Sequence, residues 1–159
     1  MTIMELLATS QRRIQVSDYF LTQTYPHLNE PKLLLNAARG ILAALENLLD
    51  VALLHARDNG KVGAYHESLA GKLHAMHGIA GEYGLSALDL HMIEELHELL
   101  VKNKEAAVVF PRGGALHAAD DEFVLRSITA QKTTTYLTRT KSIYSKIHDH
   151  ITRDSRLVE

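Results

Sequence analysis

A mainly α-helical bundle of about five helices, with a small β-hairpin ahead of the last one, is the fold class that this sequence predicts. Three observations carry it. Apolar residues recur at helical spacing through most of the chain, helix start and stop signals bracket five segments, and the period changes only once, between Ala107 and Arg126. A length of 159 residues suits one domain, so residues 1–159 read as a single helical domain with a hairpin insertion at 107–126.

From Thr2 to Tyr25 the residues Ile3, Leu7, Ile14 and Leu21 mark the apolar face of a first helix, which Tyr25-Pro26 should close. Asn29-Glu30-Pro31 then reads as a start signal, with Asn as cap and Pro in the first turn. The second helix runs to Asp58, where Asn59-Gly60 ends it. It is apolar apart from one narrow polar stripe, which makes it the central helix. A third helix over Tyr65–Glu82 carries Gly71, Gly78 and Gly81 and should be short or bent. Ser86 followed by Asp89 forms a capping box for a fourth helix ending near Lys104, with a core stripe of Leu88, Met92, Leu96, Leu99 and Leu100. Two β-prone runs, Ala107–Phe110 and Phe123–Leu125, flank Pro111-Arg-Gly-Gly114 and suggest the hairpin. Thr129 caps the last helix, to Arg153, whose buried stripe is Tyr136, Thr140, Ile143, Tyr144, Ile147 and Ile151.

Composition excludes several classes. The chain is 46% hydrophobic with a formal charge of −2, so no bulk attraction to nucleic acid or membrane is expected. Without cysteine there is no disulfide framework, no thiolate metal site and no thiol nucleophile, and a reducing, cytoplasmic setting is the expectation. The first thirteen residues lack the apolar run of a signal peptide, and Arg39, Glu46 and Asp50 interrupt the most hydrophobic window, so no membrane partner is expected. Nucleophile elbows, phosphate-binding glycine loops and the zinc-protease His-Glu-x-x-His pattern are all missing, which points away from an enzyme, and no cofactor is implied.

Three patterns remain. Six of the ten histidines lie between His55 and His97. Of these, His91, Glu94 and His97 share a helix at ligand-like spacing, although a di-iron bundle needs a second such motif and the residues fall outside the leucine stripe, as a solvated flank would. Charge is segregated. From Glu82 to Glu122 nine acids face three bases, and from Arg126 to Arg156 seven bases face two acids. Lys132, Arg139, Lys146 and Arg153 recur every seven residues and form one stripe, able to follow a phosphate backbone, to pair with acids of a partner or of the fourth helix, or simply to be solvated. Third, Asn36, Gly40, Ala43 and Asn47 share a face of the second helix where small side chains permit close helix approach, pointing to self-association, with a plain solvent edge as the alternative.

The run Leu21-Thr-Gln-Thr-Tyr-Pro26, then Pro31-Lys-Leu-Leu-Leu35 and Glu46-Asn47, with Phe110 and Arg112 further on, is similar to an uncharacterised family of small archaeal helical proteins. More distantly the chain resembles HEPN-like helical bundles, whose ribonucleases use an Arg and a His four to six residues apart. That resemblance implies Arg112 and His117 as catalytic residues, here within the predicted hairpin. Taken together, the sequence suggests a non-enzymatic, self-associating interaction module with a protein partner. The alternatives are an HEPN-like RNA-binding protein or ribonuclease, with RNA as partner, and thirdly a metal-binding bundle.

Overall fold

The long second helix of the sequence reading forms the axis of the fold. In the computed structural model, which describes residues 1–154 except Asp121 and Phe123, α3 (Lys32–Asp58) buries Leu34, Ile41, Leu45, Leu48, Leu49 and Leu53 almost completely. Removing each such leucine from water contributes about 2 kcal/mol. Asp121, Phe123 and Arg156, used in the charge and strand readings, lie outside the described residues. Around α3 pack α1 (Ile3–Tyr19), α4 (Leu69–His77), α5 (Ala87–Glu105) and α6 (Ala130–Thr152). Among the described residues no helix is long and apolar enough to cross a membrane.

Local chemistry explains most boundaries. Thr2 and Glu5 close a capping box at α1, Ser86 and Asp89 another at α5, and the Thr129 hydroxyl accepts from the Lys132 amide to start α6. Two boundaries differ from expectation. Tyr25-Pro26 does not close the first helix: a π-helical turn (Phe20–Thr24) leads into a short α2 (Tyr25–Leu28), because Pro26 sits in the first turn of α2, where a missing N–H costs nothing. Asn29 does not cap α3. It ends α2 in the left-handed region at φ 49°, and Pro31 stands at the start of α3 with no side-chain cap. The predicted third helix is reduced to α4 and a 3₁₀ turn, Ala80–Tyr83. On α5 the core stripe is shifted: Leu88 is 65% exposed, while Leu90 and Ile93 are buried beside Met92, Leu96 and Leu99.

Ahead of α6 stands a three-stranded antiparallel sheet, where a two-stranded hairpin was expected. Strands β1 (Val108–Arg112) and β2 (Ala115–Ala119) join through Gly113 and Gly114, both at positive φ, as a two-residue type I′ turn demands. β3 (Leu125–Ile128) adds to the other side of β2. The second β-prone run expected from the sequence, Phe123–Leu125, meets β3 at Leu125, whereas β2, the strand that pairs with β1 across the Gly-Gly turn, is not foreseen: its Ala-Leu-His-Ala-Ala carries little β propensity. Leu116 and Ile128 face the helices and are buried, whereas Val108, Val109, Val124 and Leu125 remain exposed.

The close helix approach expected at Gly40 is made within the chain. A Cβ at that position would stand 2.4 Å from Ser17 Oγ of α1, so the half-buried Gly40 serves the contact between α3 and α1. Of its three companions, Asn36 is exposed, Ala43 lines a groove against α5, and Asn47 is half-buried with its amide oxygen unpartnered.

Candidate functional site

Two polar regions stand out at the sides of the bundle. The first joins the C-terminal end of α3, the 3₁₀ turn and the end of α6. His55 falls on the apolar face of α3, one turn after Val51 and Ala52, and is 5% exposed. Its Nδ1 lies 2.7 Å from the Tyr83 hydroxyl and its Nε2 2.7 Å from Asp154 Oδ2. Burial, and secondarily the nearby Glu82 and Asp154 carboxylates, push the Tyr83 phenol well above its ordinary range, so the phenol keeps its proton. Both ring nitrogens of His55 thus meet an oxygen, the phenol on one side and the carboxylate on the other. The His150 ring packs edge-on against both His55 and Tyr83, with centroids 5.6 and 4.7 Å away. Glu82 pairs with Lys61 and lies 3.8 Å from His150 Nε2. Asn59 donates to the His55 carbonyl at 2.8 Å.

Chemically this Asp–His–Tyr chain has the order of a nucleophile-activating relay, but its terminal hydroxyl belongs to a tyrosine that is 1% exposed. It presents no oxygen to a substrate. What opens to solvent beside it is a shallow cleft lined by Asn59, Lys61, Glu82, His150 and Arg153, in which cation and anion neutralise one another.

The second region is the groove between α5 and α6, closed at one end by β3. Its wider part, about 490 Å³, is lined by Glu95, Glu98 and Leu99 from α5, Leu125, Arg126 and Ser127 from β3, and Thr129 and Lys132 from the start of α6. It continues along Gln131, Thr135, Tyr136 and Arg139 over Met92. The Tyr136 hydroxyl donates to Glu95 at 2.8 Å, and burial together with that carboxylate raises the phenol above its ordinary range. Arg126 lies 3.4 Å from Asp120. Among the described residues Glu98, Lys132 and Arg139 have no ion-pair or side-chain hydrogen-bond partner, although all three line this groove.

The basic stripe is thus divided. Lys132 and Arg139 stand over the groove, Lys146 lays its stem across Gly84 with its ammonium 3.9 Å from Asp89, and Arg153 belongs to the other cleft. In the sheet, His117 lies opposite Phe110, its Nδ1 2.6 Å from Ser127 Oγ and its Nε2 3.0 Å from the Arg112 carbonyl. Both ring nitrogens are therefore occupied, and it is the Arg112 carbonyl, not its guanidinium, that meets the imidazole.

Glu94 and His97 share a groove with His74 and His77 of α4, while His91 is exposed outside it. Among the described residues no three His, Asp or Glu side chains converge on a point where a metal ion could sit. The polar chain through Tyr83, His55 and Asp154 was missed by the sequence reading; its one signal was a histidine on an otherwise apolar helix face. Compared with known protein families, curated proteins and solved structures, the chain matches none.

Proposed function

We propose that the chain is a non-enzymatic interaction module that receives a protein partner along the α5–α6 groove. One observation carries this reading: among the described residues Glu98, Lys132 and Arg139 stand unpaired around a partly apolar groove, whereas His55, Tyr83 and Asp154 at the other end of α6 bond to one another. Unpaired charges of both signs at a groove rim favour a partner that carries both signs. A polyanion such as RNA would meet Glu95 and Glu98 beside every base that it neutralised.

The experiment places a photo-crosslinking residue at Thr135 in the groove, or at Gln11 on the exposed side of α1, in the otherwise native chain. The Thr135 probe is expected to capture polypeptide in several-fold excess over the Gln11 probe, and Lys132→Glu with Arg139→Glu should abolish the excess. Equal capture from both positions, or capture of RNA at Thr135, overturns the reading.

A further inference from the structure

We propose that the free edge of β3 takes an extended segment of a partner protein as a fourth strand. Within that segment a basic and an acidic side chain, two residues apart, reach Glu98 and Lys132. The inference rests on the interaction-module reading and names the kind of partner.

Register decides which backbone groups are free. The two-residue turn makes Arg112 and Ala115 a hydrogen-bonded pair, so Ala115, His117 and Ala119 of β2 direct their amides and carbonyls at β1. The intervening Leu116 and Ala118 therefore bond to their partners in β3, Ile128 and Arg126. The Asp120 amide continues the series by donating to the Val124 carbonyl at 3.3 Å. By the same alternation Leu125 and Ser127 point their N–H and C=O groups away from β2, and among the described residues no hydrogen bond reaches them.

The other edge is different. On β1 the outward positions are Val109 and Pro111, and proline has no N–H, so half of that edge's donors are missing. Natural sheets blunt edges in this way against unwanted pairing. β3 has no proline, so both outward residues keep their N–H groups, and its edge opens into the widest part of the groove.

Only an extended chain offers donors and acceptors at the spacing that Leu125 and Ser127 present, since a helix uses its own backbone groups internally. A second copy of this chain fits poorly. The twofold antiparallel register that uses both outward residues, with Leu125 opposite Ser127, would set Arg126 directly opposite its own copy, and like charges so placed repel. In an added strand, side chains two apart share a face. On the side facing the helices they would lie between Glu98 on α5 and Lys132 on α6, which lack partners of their own.

The test uses nine-residue peptides of alternating Val and Thr carrying one Lys and one Glu two residues apart, in both orders. The same peptides N-methylated at their three central residues serve as the backbone control. Amide exchange of the intact, isotope-labelled chain is read by NMR. One order is expected to bind and to slow exchange at Leu125 and Ser127 by about tenfold or more, with N-methylation weakening binding at least as much. Leu125→Pro, which removes an outward N–H, should abolish binding, and Glu98→Gln with Lys132→Gln should remove the preference between the two orders. Binding that survives N-methylation overturns the proposal, as does failure of every peptide in the set; where Leu125→Pro unfolds the chain, the N-methylated peptides decide. A groove that crosslinks polypeptide at Thr135 while no peptide binds sinks the edge inference and leaves the broader function standing.

Discussion

The two ends of α6 treat polar groups in opposite ways. Near its C-terminal end, His55, Tyr83, His150 and Asp154 interlock, and burial is made tolerable because each ring nitrogen of His55 has a partner at 2.7 Å. At its N-terminal end, Lys132 and Arg139 face Glu98 across a groove without touching it, beside a strand whose outward amides are open. A polar group buried without a hydrogen bond costs several kcal/mol, whereas one left in water costs almost nothing. Closed polar clusters therefore hold a fold together, while open ones are kept for what the fold meets.

If that contrast is sound, the largest effect of any polar substitution belongs to the closed end. His55→Ala leaves the buried Tyr83 hydroxyl without its hydrogen-bond partner and opens a cavity beside α3, so unfolding in urea should show a loss of about 2–4 kcal/mol. A loss under about 0.5 kcal/mol, the range of ordinary surface changes, would break the comparison. Alkaline pH sharpens it. Tyr83 has its phenol raised first by burial, then by Glu82 and Asp154, above the ordinary value of 10.0. A phenol raised in the folded state gives stability that is complete below the unfolded value and is lost as pH rises through the folded one. The thermal midpoint should fall above pH 10, and each such phenol should lower the unfolding free energy by up to about 1.4 kcal/mol per pH unit. Tyr136, raised by burial and by its bond to Glu95, adds a second increment of the same sign. Tyr83→Phe should flatten the curve by one increment, and an unchanged slope would show that burial does not hold the Tyr83 phenol above its ordinary range.

How much of this was legible depends on the range of the interactions. Capping at Thr129 and at Ser86–Asp89 is local chemistry, and both starts fall where the sequence puts them. The mainly helical class follows from periodicity, which is also local, but of the sheet only a two-stranded hairpin was legible, since Ala115–Ala119 carries little β propensity and becomes a strand only through its pairing on both sides. Asn29 misled because the same residue type serves as N-cap and as left-handed C-cap, and only the path of α2 decides between them. Gly40 was legible as a site of close approach, but its partner, Ser17, lies on another helix that no spacing rule could select. The closed cluster was invisible for the same reason: its members are 28 and 99 residues apart in the chain. The sequence reading weighed the histidines by their crowding between His55 and His97, while the structure pairs His55 with His150 from outside that stretch.

The smallest expected effect lies at the open end. Glu98→Gln, Lys132→Gln and Arg139→Gln together remove three charges with no ion-pair partner among the described residues, so stability in urea should change by no more than about 0.5 kcal/mol. The glutamine side chains keep the length and polarity of the groove walls, which separates loss of charge from loss of shape. Partner capture at Thr135 should nevertheless drop several-fold, because paired charges at a rim act on encounter and choice of partner more than on the fold. A triple variant that lost stability on the scale expected for His55→Ala would mean that the groove charges are paired in solution through rearranged side chains. The two ends of α6 would then follow one rule, and the groove would be part of what holds the bundle closed.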